Sequence, residues 1–276
     1  MLLAFDIGNS NTVLGVFRDG ELITNWRIET DLNKSADEYG MLVSQLFAYE
    51  KLKMEDVDDV IISTVVPSVL YTVQHMSLKY FNRKPIVVES GVKTGLVIKY
   101  DNPKQVGADR IVNAVAAFHK YGGPLIIIDF GTATTFCAVS DKAEYLGGSI
   151  APGLKISSEA LFEKTSKLPK VELDEPGHVI CKNTIESMQA GLIYGHMGLV
   201  EYMVDKMKGE LKEATGKDDI KVIATGGLAG MMSGGVRCID DVDRDLTLEG
   251  LQVIYEKNRK PCKHTQKDFE WNNEDH

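Results

Sequence analysis

No stretch of this sequence approaches the ~20 consecutive apolar residues that cross a bilayer as a helix, so no membrane partner is expected. Cysteine is scarce: Cys137, Cys181, Cys238 and Cys262 are the four in 276 residues, and none forms a C-x-x-C pair. A disulfide scaffold is therefore not expected, and a reduced, cytoplasmic setting is the simplest expectation. The six histidines are scattered, without H-E-x-x-H or H-x-x-x-H, and Cys262 and His264 have no third ligand near them in sequence. The phosphate loop G-x-x-x-x-G-K-[ST] and the dinucleotide fingerprint G-x-G-x-x-G are both missing, which disfavours those two routes to a nucleotide. Positive charge is in deficit, with 31 Lys and Arg against 40 Asp and Glu, a net charge of −9 and a pI of about 5.2. A nucleic-acid groove needs clustered cations, so no nucleic-acid partner is expected. The start, Met1-Leu2-Leu3-Ala4-Phe5-Asp6, lacks a basic segment and meets an acid at once, so it reads as a strand and not a signal peptide.

What the sequence does contain is an internal repeat. Asp6-Ile7-Gly8-Asn9-Ser10-Asn11-Thr12 aligns with Asp129-Phe130-Gly131-Thr132-Ala133-Thr134-Thr135, with Asp, Gly and Thr at the same offsets. Each copy follows an apolar run, Leu2 to Phe5 and Leu125 to Ile128, and continues as a second strand, Val13 to Phe17 and Phe136 to Val139. Turn signals follow at Asp19-Gly20 and Asp141-Lys142, then third strands, Glu21 to Ile28 and Glu144 to Ile150. Later, Asp58 to Thr64 echoes Asp218 to Thr225, and both read as a buried strand after a helix. Each half thus reads strand, strand, strand, helix, strand, helix. That order predicts an α/β protein of two lobes, each a mixed sheet flanked by helices, with a cleft between them. The first lobe is expected over residues 1–115 and the second over 116–259. Residues 260–276 read as a polar, disordered tail.

The repeated loops carry the chemistry. A tight hairpin with Gly8 can turn backbone N–H groups inward, and Asn9, Ser10, Asn11 and Thr12 add short donors, making a nest for phosphate oxygens. Gly131, Thr132 and Thr134 offer the same in the second copy. An acid at Asp6 makes little sense against phosphate unless a cation or its water shell lies between them. A single such loop would be unremarkable as a hairpin; a matched pair is not. Ala224-Thr225-Gly226-Gly227-Leu228-Ala229, between a strand and a helix, is a third close-approach turn, suited to the adenosine or α-phosphate end of a nucleotide or to an ordinary helix cap or loop.

Between the halves lies Tyr100-Asp101-Asn102-Pro103-Lys104-Gln105-Val106-Gly107-Ala108-Asp109-Arg110, followed by an apolar helix. Asp109 in the first turn can be a helix cap. It can also accept the proton of a hydroxyl attacking phosphorus, with an unperturbed pKa near ~3.9 keeping it ionised. Arg110 beside it can hold a carboxylate with a fork of donors. Farther on, Asn183 with Glu186 opens a helix bearing Gly191, Gly195 and Gly198 on roughly one side. Glycine costs ~1 kcal/mol in a helix interior. The three predict close approach of another backbone, either within the chain or in a second copy.

Taken together, Asp6 to Thr12, Gly107 to Arg110, Asp129 to Thr135 and Thr225 to Ala229 resemble the motifs of a type III pantothenate kinase, in order from residue 1 to about 259. The resemblance implies the actin-like ATPase fold with two ribonuclease-H-like lobes and five-stranded sheets, shared with acetate and sugar kinases and Hsp70. It implies phosphorylation of pantothenate by ATP, the first step toward coenzyme A, with Mg²⁺ and a monovalent cation, K⁺ or NH₄⁺. By motif, Asp109 is the proton acceptor. Asp6, Ile7, Gly8, Asn9, Ser10, Asn11, Thr12, Val13 and Thr132 contact ATP. Tyr100, Gly107, Ala108, Asp109, Arg110 and Thr184 contact pantothenate. Asp129 holds the monovalent cation and Asp6 holds Mg²⁺ through water. The family is typically a homodimer. A sugar kinase of the same superfamily and a nucleotide-gated, non-enzymatic relative are the competing readings; the arginine beside the acceptor acid argues for an anionic substrate.

Overall fold

The computed structural model describes residues 1–259. The expected tail, with Cys262 and His264, lies outside the described residues. The chain opens with strands β1 (Leu2–Ile7), β2 (Asn11–Arg18) and β3 (Glu21–Glu29), joined as antiparallel hairpins. Asp19 and Gly20 both have positive φ, 54° and 88°, so the two-residue connection from Arg18 to Glu21 has the turn twist that suits a hairpin. Helix α1 (Ala36–Tyr49) starts at a capping box: the Ser35 hydroxyl accepts from the Glu38 N–H while the Glu38 carboxylate accepts from the Ser35 N–H. Then come β4 (Asp59–Thr64), α2 (Pro67–Met76), β5 (Ile86–Val87), β6 (Val97–Ile98) and α3 (Ala108–Tyr121).

The second half repeats the plan. Strands β7 (Leu125–Phe130), β8 (Ala133–Val139) and β9 (Glu144–Pro152) are again antiparallel neighbours. They are followed by α4 (Leu154–Lys164), α5 (Thr184–Thr215), β10 (Lys221–Thr225), α6 (Ala229–Ser233), β11 (Asp241–Val242) and α7 (Leu246–Asn258). The first sheet runs β3-β2-β1-β4-β5 and the second β11-β10-β7-β8-β9-β6. Apart from β6, the strand orders are the same, so the repeat read in the loops is a repeat of topology. The second sheet has six strands where five were expected, because Val97–Ile98, from before the repeat, pairs in parallel with β9. Two residues leave too little pattern to be recognised as a strand.

Each sheet packs an apolar face onto its own helices. Leu3, Phe5, Ile7, Tyr39, Val43 and Phe47 belong to one core, and Ile126, Ile128, Ile193, Val200 and Val204 to the other. A third core is built from both ends of the chain: Leu2, Ala4 and Ile61 meet Val112, Val115, Leu251 and Ile254. Helix α7 therefore packs on α3 and the back of the first sheet. A Cβ on Gly250 would sit 2.2 Å from the Val112 carbonyl oxygen, so the two helices cross at a point only glycine allows. The limit read between residues 115 and 116 falls inside α3. No helix among the described residues is long and apolar enough to cross a membrane.

Candidate active site

The sheets converge on a cleft of about 370 Å³, lined on one side by Asp6, Gly8, Asn9, Ser10, Asn11 and Val13, and on the other by Asp129, Gly131 and Thr132. The loops touch across it: Ser10 Oγ and Thr132 Oγ1 share a hydrogen bond of 3.1 Å. The first loop is a tight turn, closed by Gly8 N–H donating to the Asn11 carbonyl at 3.0 Å. It is stapled from beneath by Thr30, whose hydroxyl donates to the Gly8 carbonyl (2.8 Å) and shares a hydrogen bond with the Thr12 hydroxyl (2.9 Å). Thr12 is fully buried and faces this staple rather than the cleft, and Ile7 points into the first core. The two residues hold the loop's shape from below.

Asp6 and Asp129 end equivalent strands, and Asp109 stands in the first turn of α3 between them. Burial pushes Asp6 up to about 7, helped by the negative charges of Asp109 and Asp129. It pushes Asp129 up to about 6, with Asp109 adding to it and the Asn113 amide opposing it. Asp109 is also raised by burial, against the pull of the Arg110 N–H, which donates to its Oδ1 at 2.8 Å, and of the Arg110 charge. The expectation of an unperturbed Asp109 is thus corrected: the side chain is withdrawn from water. A raised pKa brings it closer to what a base at neutral pH requires. Three like charges at reduced dielectric are poorly compensated by the chain alone, so the donor set suits a cation. Yet among the described residues no cluster of three or more carboxylate, thiol or imidazole groups is placed to bind a metal. A divalent ion here would rely on phosphate oxygens and water for most of its shell.

Arg110 does not line the cleft. It is 6% exposed, buried between α3 and the second sheet, with Nε donating to Cys137 Sγ at 3.3 Å and its guanidinium 5.8 Å from the Tyr145 ring centre. Burial alone would lower its pKa, but Cys137, Tyr145 and Tyr100 around it hold the cation charged. Among the described residues its Nη2 is buried without a hydrogen-bond partner. That vacancy matters because an unmet buried donor costs roughly 1–3 kcal/mol. Gly148 makes the burial possible, since a Cβ there would lie 1.8 Å from the Phe136 carbonyl and 3.0 Å from Nη2. Tyr100 packs near Tyr145, with ring centres 6.5 Å apart. Gly107 is the N-cap of α3, and a Cβ there would lie 2.4 Å from Asp109 Oδ1. Ala108 packs with the third core. Thr184 is exposed at the start of α5 and is not part of the cleft wall.

Several residues of the cleft gave no motif signal. Asn113 donates to Asp129 Oδ2 (3.1 Å) and accepts from the Thr247 hydroxyl (2.7 Å). Were the Asn113 amide turned over, two oxygens would face each other at Asp129, so the carboxylate fixes the amide and the amide fixes Thr247 as donor. Arg27, Lys155 and Arg244 supply the positive charge of the cleft wall. Thr247 and Arg244 lie more than a hundred residues from the loops they serve, and Arg27 sits in an alternating strand where any polar residue fits. The Gly226 turn does carry a readable signal: its φ is +93°, and a Cβ would lie 2.4 Å from Asp129 Oδ1.

A duplicated sheet with two facing hairpin loops and an acid between them is the arrangement of the actin-like ATPase and sugar-kinase class. Solved structures agree on the fold. A protein from Campylobacter jejuni provisionally placed among Baf family transcriptional activators aligns over 93% of this chain and 98% of its own, at TM-score 0.58 and 18% identity. One from Sinorhizobium meliloti, provisionally named a 2-dehydro-3-deoxygalactonokinase, aligns over 96% and 100%, at 0.57 and 12%. The activator of 2-hydroxyisocaproyl-CoA dehydratase from Clostridium difficile, solved with bound ADPNP, aligns over 95% and 99%, at 0.50 and 12%. The sequence profile of the type III pantothenate kinases matches residues 2–206, and the chain belongs to that family. It is a kinase.

Proposed function

We propose that the protein transfers the γ-phosphate of ATP to the primary hydroxyl of pantothenate, giving ADP and 4′-phosphopantothenate, the first step toward coenzyme A. The observation that carries this reading is Asp109 in the cleft wall between two phosphate loops, next to a buried arginine with an unmet donor. The backbone N–H groups of Gly8 to Asn11, with Ser10 and Thr132, cradle the phosphate chain. Asp109 orients the hydroxyl and takes its proton as the oxygen attacks phosphorus and the bond to the ADP oxygen breaks. Arg110, buried beside Tyr100 behind the cleft wall, keeps a positive charge next to Asp109, which favours an acid over a neutral sugar as acceptor.

Mg²⁺ and a monovalent cation would supply charge neutralisation for the phosphates; Asp6 is the residue to hold the first through water and Asp129 the second. Among the described residues, Gly191, Gly195 and Gly198 meet nothing within 4 Å of an added Cβ, so packing within those residues does not explain them. With the exposed Ile185 and Tyr202 on the same helix, they support a homodimer in which Thr184 reaches the acceptor site of a second copy. A cytoplasmic setting follows from the reaction proposed.

The test is a coupled ADP-release assay with pantothenate, with and without potassium, alongside a panel of hexoses and short hydroxy acids. Turnover of pantothenate that rises with potassium is the expected result. Turnover of hexoses with none of pantothenate would overturn the acceptor assignment.

A further inference from the structure

Arg27 lies on β3, the edge strand of the first sheet, and its side chain enters the cleft. Among the described residues neither Arg27 nor the cleft's other cations, Lys155 and Arg244, has an ion-pair partner within 4.0 Å. The tip of the Arg27 side chain has crossed to the opposite lobe: Nη1 is 3.0 Å from where a Cβ of Gly227 would stand. Of the cleft's other two cations, Arg244 is turned toward Gly230, 3.1 Å from an added Cβ, and Lys155 lines the cleft from α4 of the second half.

A polyphosphate entering this cleft meets two loops of neutral donors and a floor of three acids. A side-chain cation that spans the cleft helps to offset that floor. Arg27 is the cation that reaches from the first lobe to the Gly227 turn of the second. We infer that Arg27 is a catalytic residue that grips the β- and γ-phosphates of the nucleotide across the cleft and stabilises the charge on the phosphoryl group in transit. The absence of a side chain at Gly227 gives the guanidinium its path.

This inference rests on the phosphotransfer reading but not on the identity of the acceptor. The experiment compares wild type with Arg27→Gln, Arg27→Lys and, as a control of equal charge on the outer surface of β2, Arg18→Gln. Equilibrium binding of a non-hydrolysable ATP analogue and of ADP is measured beside steady-state kinetics with pantothenate. Arg27→Gln is expected to weaken the ATP analogue about tenfold or more, as loss of a charged donor does, and ADP clearly less. Its kcat should fall about a hundredfold, the usual loss for one transition-state donor. Arg27→Lys should recover part of kcat, and Arg18→Gln should match wild type. Equal unfolding midpoints show that each variant is folded. If Arg27→Gln keeps kcat and ATP binding near wild type, or weakens ATP and ADP equally, or alters only the acceptor KM, the inference is wrong. If wild type ignores pantothenate, the proposed acceptor falls while the preference for ATP over ADP still decides the role of Arg27.

Discussion

At the scale of single residues, the acids of the cleft are held where water would not place them. The carboxyls of Asp6 and Asp129 ordinarily titrate near 3.8, and in the folded chain they titrate at about 7 and about 6. Between the ordinary and the raised values the unfolded chain has lost protons that the folded chain keeps. Stability of the ligand-free protein should therefore fall as pH rises from about 4 toward 7. Asp129→Asn removes part of that cost and should stabilise the ligand-free protein at pH 7.5 by on the order of 2 kcal/mol. Urea unfolding at pH 5 and pH 7.5 checks this; a variant no more stable than wild type at the higher pH would contradict it. At the same time Asp129→Asn should lose activity, the common trade between stability and function at a site. Asp109→Asn should leave ATP binding within about threefold while lowering kcat by about 10² to 10⁴, the range for a general base. A variant that turns over at the wild-type rate would mean that Asp109 only caps its helix.

Elements bring these residues within reach, and two contacts between elements are exposed to test. Gly226 follows β10 with φ +93°, and a Cβ there would strike Asp129 Oδ1 and the Phe130 backbone nitrogen at 2.4 and 2.7 Å. Gly226→Ala combines a strained backbone with a clash against backbone atoms, and about 2–4 kcal/mol of stability should be lost. Thermal unfolding measures this; a shift of less than one or two degrees would show that the turn relaxes. Thr247 on α7 and Asn113 on α3 form the chain of hydrogen bonds that ends on Asp129. Thr247→Val removes the donor from a buried amide oxygen and should cost about 1–2 kcal/mol, whereas Thr247→Ser should restore it. If the serine variant were no better than valine, the methyl group and not the hydroxyl would be what α7 contributes.

On the scale of the whole molecule, helix α5 presents Gly191, Gly195 and Gly198 with none of the described residues against them. In a lone copy, Gly195→Ala would only gain helix propensity, about 1 kcal/mol. In the proposed homodimer, a large charged side chain would part the subunits. Gly195→Glu should therefore sediment as a monomer at concentrations where wild type is a dimer, with a raised KM for the acceptor because Thr184 is withdrawn. Wild type sedimenting as a monomer while fully active would end the pairing argument.

The two phosphate loops, their flanking strands, the capping box at Ser35 and the helix start at Asp109 were legible because each depends on neighbours within a few residues. Turn chemistry, alternation and capping are local, and a repeat doubles the signal. The sequence by itself thus determined the two-lobed plan, the paired loops and the family. The tertiary structure decided what distance along the chain conceals. It placed α7 on the back of the first sheet and linked Thr247 through Asn113 to Asp129. It also withdrew Asp109 from water and brought Arg27 across to Gly227. Electric fields and burial depend on which atoms surround a group in space, and most of those atoms come from distant parts of the chain.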